Sequence, residues 1–87
     1  NTTVRTGAAT LYGIHASGGS GSVVIVTDGD MGATPNYNST SIPSTILRFG
    51  PLQNAGTSEF NFVMGIGINT QLTVAASSNA SLTIEYE

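Results

Sequence analysis

Gln71-Leu72-Thr73-Val74-Ala75-Ala76, the link Ser77-Ser78-Asn79, and Ser81-Leu82-Thr83-Ile84-Glu85-Tyr86 form the stretch on which the fold class turns. In the first run Leu72, Val74 and Ala76 alternate with Gln71, Thr73 and Ala75; in the second Leu82, Ile84 and Tyr86 alternate with Ser81, Thr83 and Glu85. Successive side chains of a strand point to opposite faces, so this spacing predicts two strands, each with one face toward a core and one toward water. Ser77-Ser78-Asn79 is turn chemistry, and the expectation is a β-hairpin.

The same period continues upstream. Phe60, Phe62, Met64, Ile66 and Ile68 fall on one side of an extended stretch, with Glu59, Asn61, Val63, Gly65 and Gly67 on the other. The two glycines predict a bulge or the close approach of another backbone. Val23 to Val26 is four β-branched residues in a row, which predicts a strand covered on both faces. Ala9 to Ala16 alternates as well, and Ser17-Gly18-Gly19-Ser20-Gly21 reads as a hairpin loop joining it to Val23–Val26. Thr45 to Gly50 makes a short strand with Leu47 and Phe49 on one face and Ile46 and Arg48 on the other, ended by Pro51. With a first strand at Thr3 to Thr6, the pattern predicts an all-β domain of about seven strands, a small antiparallel β-sandwich or jelly-roll-like barrel. No window keeps a helical period free of Gly and Pro.

Composition narrows the function. Of 87 residues only 2 are Lys or Arg and 5 Asp or Glu, none is Cys, and 29 are Ser, Thr or Asn. At 8% charged, against about 25% in an ordinary soluble domain, the surface is built from neutral hydroxyl and amide groups. The net charge of −3 argues against nucleic acid, which needs a basic stripe to displace counterions. No apolar run has the length to cross a bilayer, so no membrane partner is expected. The length fits one domain spanning 1–87, with Asn1 to Thr6 as a possible N-terminal arm that adds a strand to a neighbour. A chain this short buries a modest share of its surface, and without a disulfide or zinc cluster either its core is unusually well packed or homo-oligomeric contacts add burial.

Catalytic chemistry finds little support. His15 is the sole imidazole, and no nucleophile elbow accompanies it; capping or packing is the expected role. Asp28-Gly29-Asp30 is the one close pair of carboxylates, and it reads as a turn before a calcium loop, which needs further oxygens at set spacings. Glu59 and Glu85 sit on expected outward strand faces, as solvated charges that discourage edge pairing. The Asn-x-Ser/Thr matches at Asn1, Asn38 and Asn79 are what chance gives in a chain rich in these residues. No enzyme, metal or cofactor is expected. The irregular stretch 28–43 has the length of loops that in small domains are usually either mobile or functional. Within it Met31 and Tyr37 either anchor a partner surface or fold back as a lid over one open end of the sandwich, and Arg5 is a third candidate for partner binding.

The order Leu11-Tyr12-Gly13-Ile14-His15, a Gly/Ser turn, Val23-Val24-Ile25-Val26-Thr27-Asp28-Gly29, Ile46-Leu47-Arg48-Phe49 and a closing Leu82-Thr83-Ile84-Glu85-Tyr86 resembles small tailed-phage virion proteins. The resemblance covers Leu11 to Asp28 and the last two strands. It implies a β-sandwich present in many copies on a head or tail, with no catalytic residues, in a style that capsid decoration, head-to-tail accessory and fibre-tip proteins share; the expectation is a capsid decoration or cement protein whose partners are the major capsid protein or other virion proteins. The competing expectation is a glycan- or receptor-binding module, a fibre tip or adhesin domain, that uses the 28–43 loop with Tyr37 and Tyr12.

Overall fold

The computed structural model describes residues 2–17, 21–32, 35–39, 42, 44–50, 57–77 and 80–87, with backbone alone for 57–61. Seven strands follow one another: β1 (Thr2–Thr6), β2 (Ala9–Ser17), β3 (Val24–Asp28), β4 (Thr45–Phe49), β5 (Thr57–Ile68), β6 (Gln71–Ala76) and β7 (Ser81–Tyr86). They form two open sheets, β1-β6-β3-β4 and β5-β2-β7, with every pairing antiparallel. This is a small β-sandwich rather than a closed barrel.

Both expected hairpins are corrected. β6 pairs with β1 and β3 while β7 pairs with β2, and β2 lies in the sheet opposite β3. Among consecutive strands only β3 and β4 are partners. Alternation fixes which face of a strand is apolar, but it does not say which strand lies beside it. β6 is buried at Leu72, Thr73, Val74 and Ala75, the pattern of a central strand with a neighbour on each side. Ser77 still belongs to its sheet, donating its N–H to Val23 O (3.0 Å) and accepting from Val23 N–H on Oγ (2.8 Å). Ser78 and Asn79 lie outside the described residues, as do 18–20 of the other expected turn and Pro51.

A single bent ribbon underlies the sandwich. Thr6 pairs with Gln71 in one sheet and Ala9 with Ile68 in the other, and between them Gly7 N–H donates to Thr70 O at 2.8 Å. The paired segments 2–17 and 57–76 thus run as one antiparallel ladder that switches sheets at Gly7-Ala8 and Asn69-Thr70. Gly7 turns this corner at φ +91°, a conformation that side chains disfavour. The segment 2–6, expected to be available as an arm, is laid against its own β6 as an edge strand.

Asp28, at the end of β3, holds the corner. Its carboxylate accepts the N–H groups of Asn69 (Oδ2, 3.0 Å), Thr70 (Oδ1, 2.8 Å) and, more weakly, Gln71 (Oδ1, 3.4 Å). Gly29 N–H adds a bond to Gln71 O at 2.8 Å. Residues leaving one ladder for the next have donors that neither sheet satisfies, and this carboxylate supplies the acceptor.

The core lies between the sheets, with Leu11, Ile14, Val26, Ile68, Leu72 and Val74 at its centre and Phe62, Ile84 and Leu47 against it. Ala16 and Val24 extend it beside Phe49 and Leu82. The accessible area of 4861 Å² matches the about 4,800 Å² of a folded monomer of this mass, so the chain reaches ordinary compactness without a partner.

The N–H groups of Asn69 and Thr70, foremost, hold the Asp28 carboxyl below the usual carboxylate range, against an opposing push from lost hydration. With its folded-state pKa depressed, Asp28 contributes stability that is fully present above its unfolded-state pKa and lost as pH falls through the folded value. Urea unfolding across pH is expected to show that acid loss, and Asp28→Asn should flatten it. At neutral pH Asp28→Ala should cost about 2 kcal/mol, the scale of hydrogen bonds to a charged group.

Candidate functional site

Of the run Val23 to Val26, expected to be covered on both faces, Val24, Ile25 and Val26 are buried, as is Thr27, while Val23 is half-buried. Val24 and Val26 face the opposite sheet, whereas Ile25 and Thr27 face outward and are still wholly buried, with Thr73 and Ala75 beside them in register. Arg48 of β4 is the register partner of Ile25 on that outer face, and its Nη2 donates to Tyr37 O at 2.7 Å. The segment carrying Tyr37 is therefore folded back over the outside of the β1-β6-β3-β4 sheet.

Local bonds shape this loop. Asp30 Oδ1 accepts from Gly32 N–H (2.9 Å) and Asn36 Oδ1 from Asn38 N–H (3.0 Å), two Asx turns of the kind that Asp and Asn favour. Thr45 Oγ1 donates to Ile42 O (2.7 Å), and Asp28 N–H to Ser44 O (2.9 Å) closes the loop where β4 begins. Met31 and Tyr37 are both half-buried. Residues 33, 34, 40, 41 and 43 of the loop lie outside the described residues. Among the described residues Arg48 Nε is buried with no hydrogen-bond partner, so this guanidinium is only partly satisfied by them.

The other sequence candidates stand apart from this loop. Arg5 is exposed on edge strand β1, opposite Leu72, just past a register shift. His15 is exposed on β2, between Glu59 of β5 and Thr83 of β7 in register. Asp28 spends its oxygens on backbone donors and Asp30 caps a turn, so the structure uses the Asp-Gly-Asp segment architecturally. Among the described residues no three His, Cys, Asp or Glu side chains gather in a metal-binding group.

A different surface emerges at the middle of the β5-β2-β7 sheet. The pairing of β2 with both neighbours slips between Leu11 and Gly13, and against β7 Tyr12 is an extra residue. Opposite it on β5, Phe62 to Gly65 are four residues facing one, since Leu11 pairs with Ile66 and Gly13 with Asn61. The bulge throws Val63 and Met64 into solvent at 94% and 92% exposure. Met64 was expected to face the core with Phe62 and Ile66; the bulge breaks the alternation that placed it there. Gly65 makes the bulge possible, with φ +76° and a site where a Cβ would lie 2.5 Å from Thr10 Cγ2 and 3.1 Å from Tyr12 Cε1. Tyr86, opposite Leu11 on β7, is also exposed, and Tyr12 Oη reaches Glu87 Oε2 at 3.4 Å. All four exposed large hydrophobic side chains among the described residues, Tyr12, Val63, Met64 and Tyr86, thus belong to this one sheet and flank one register slip. Such an arrangement offers apolar and aromatic contact area, the material of a binding surface. The glycines at 65 and 67 were the signal for it.

No family model, curated protein or solved structure matches this chain.

The role of Arg48 gives a test of the loop cover. Arg48→Ala should release the Tyr37 segment, seen as faster limited proteolysis within 29–44 mapped by mass spectrometry, and should cost about 1 kcal/mol, a hydrogen bond's net worth. Arg48→Met keeps an apolar stem beside Ile25 and removes the orphaned Nε donor, so it should show the same loop release at a smaller cost in stability.

Proposed function

We propose that the chain is a non-enzymatic structural protein of a virion, a capsid decoration or cement protein that stabilises the particle by bridging capsid subunits. The observation that carries this reading is the contrast on its surface. A chain with 7 charged residues in 87 has its exposed large apolar side chains, among the described residues, together on one three-stranded sheet of the sandwich. A decoration protein needs a rigid, weakly charged body with a concentrated contact surface, and repetition on a lattice lets individually weak contacts add. The resemblance of Leu11 to Asp28 to small tailed-phage virion proteins points the same way. Under this reading its partners are the major capsid protein and further copies of itself.

The 28–43 loop supports the glycan- or receptor-binding alternative less well, because Tyr37 and Met31 are half-buried and the Tyr37 backbone is tied to Arg48. The test is co-sedimentation of the purified protein with purified empty tailed-phage capsids. Saturable binding at a fixed number of copies per capsid, with a raised capsid melting temperature, is expected. Protein that stays in the supernatant, or that binds a glycan array saturably through Tyr37, would overturn the assignment.

A further inference from the structure

We propose that Asp28-Gly29 is a modification site, where the chain isomerises to isoaspartate whenever the corner between the sheets opens, and that the closed corner holds this reaction back. The reaction needs no enzyme or cofactor. The Gly29 backbone nitrogen attacks Asp28 Cγ, the N–H proton and the carboxyl hydroxyl leave as one water molecule, and a five-membered succinimide forms. Water then adds at the carbon that was the Asp28 backbone carbonyl and breaks its bond to nitrogen, so that the main chain now runs through the Asp28 side chain. One water leaves and one enters, with no change of oxidation state. Glycine has no side chain to obstruct the attack, and 28–29 is the one place in the sequence where glycine follows Asp or Asn.

The folded corner engages both reacting groups. The Asp28 carboxylate accepts from the N–H groups of Asn69 (3.0 Å) and Thr70 (2.8 Å), which favour the ionised form, and that form has no hydroxyl to lose. The nucleophile is engaged as well, since Gly29 N–H donates to Gln71 O at 2.8 Å. On either side Asp28 N–H donates to Ser44 O (2.9 Å) and Thr27 Oγ1 to Gly29 O (2.8 Å), and Asp28 is the register partner of Leu72. Any rotation that brings the Gly29 nitrogen onto Cγ breaks its bond to Gln71 O and withdraws the carboxylate from Asn69 and Thr70. Ring closure therefore waits on opening of the corner, and its rate follows the population of the open form. The product has one more atom in its main chain and a carboxylate one methylene shorter, so it cannot remake the bonds across the corner. A transient opening becomes a permanent loss.

Incubation near neutral pH, followed by peptide mapping and methylation with an isoaspartyl methyltransferase, reads the isoaspartate fraction at position 28. The denatured chain in urea should isomerise about tenfold or more faster than the folded protein, because the corner must lose several hydrogen bonds to open. Gly7→Ala puts a side chain at the corner's φ of +91° and should speed the reaction in the folded protein about threefold or more. Ile84→Ala, in the middle of β7, should lower the melting temperature yet change the rate by less than about twofold, since the opening is local. Isomerised protein, separated by reversed-phase chromatography and refolded, should melt below the unmodified protein and exchange the Asn69 and Thr70 amide protons about tenfold faster or more. Equal rates in folded and denatured protein overturn the proposal, as does a denatured chain that forms no isoaspartate at position 28. So does equal acceleration by Gly7→Ala and Ile84→Ala, or an isomer that refolds with its melting temperature and amide protection intact. None of these readouts involves a capsid, so the inference and the decoration reading fail separately.

Discussion

The carboxylate of Asp28 bonded to the N–H groups of Asn69 and Thr70 is the contact on which the sandwich depends. Two residues carry the chain from β5 in one sheet to β6 in the other, and two more carry it from β1 to β2 alongside. Sheets in a sandwich lie about 10 Å apart, so a corner this tight leaves backbone donors between ladders, where an unpaired group is costly. An ionised carboxylate at the end of the neighbouring central strand accepts them, and the bond from Gly7 to Thr70 joins the two crossings. The corner therefore ties β1, β2, β3, β5 and β6 together at one end of the molecule.

From that corner the two sheets acquire different outer faces. In the β1-β6-β3-β4 sheet the outer apolar positions Ile25 and Ala75 are buried, and Arg48 on that face holds the returning loop through Tyr37 O. The β5-β2-β7 sheet has polar outer positions such as His15 and Thr83, and among the described residues its exposed large apolar side chains lie around the slip at Tyr12. A stretch of irregular chain that looks like a binding loop is thus tied at Tyr37 to the outside of a sheet. The bulge, which looks like a defect in a strand, brings Val63 and Met64 into solvent. Bulges re-aim side chains and interrupt pairing, and here both effects fall on residues 62–65.

Strand content was legible because period-two burial is a local property: Leu82 and Ile84 face the core, and Val24 to Thr27 are covered on both sides. Strand partnership was not, because it depends on contacts distant in sequence. Thr2 pairs with Val74 and Ala9 with Ile68, and neither pairing leaves a mark on the residues between them. Asp28-Gly29 was readable as a turn, yet the donors that its carboxylate accepts lie about forty positions away in the chain. Gly65 signalled a bulge through its lack of a side chain. Its size, four residues against Tyr12, follows from the register on either side and so could not be inferred from the glycine alone.

The most direct test of the Asp28 corner is an NMR titration that follows the Asp28 carboxyl carbon together with the amide protons of Asn69 and Thr70. The carboxyl should titrate below the usual carboxylate range, and both amide resonances should move with it, because each N–H donates to the group that is losing its charge. An Asp28 carboxyl that titrates at an ordinary value, with the two amides indifferent to it, would show that the corner between the sheets is held by something else.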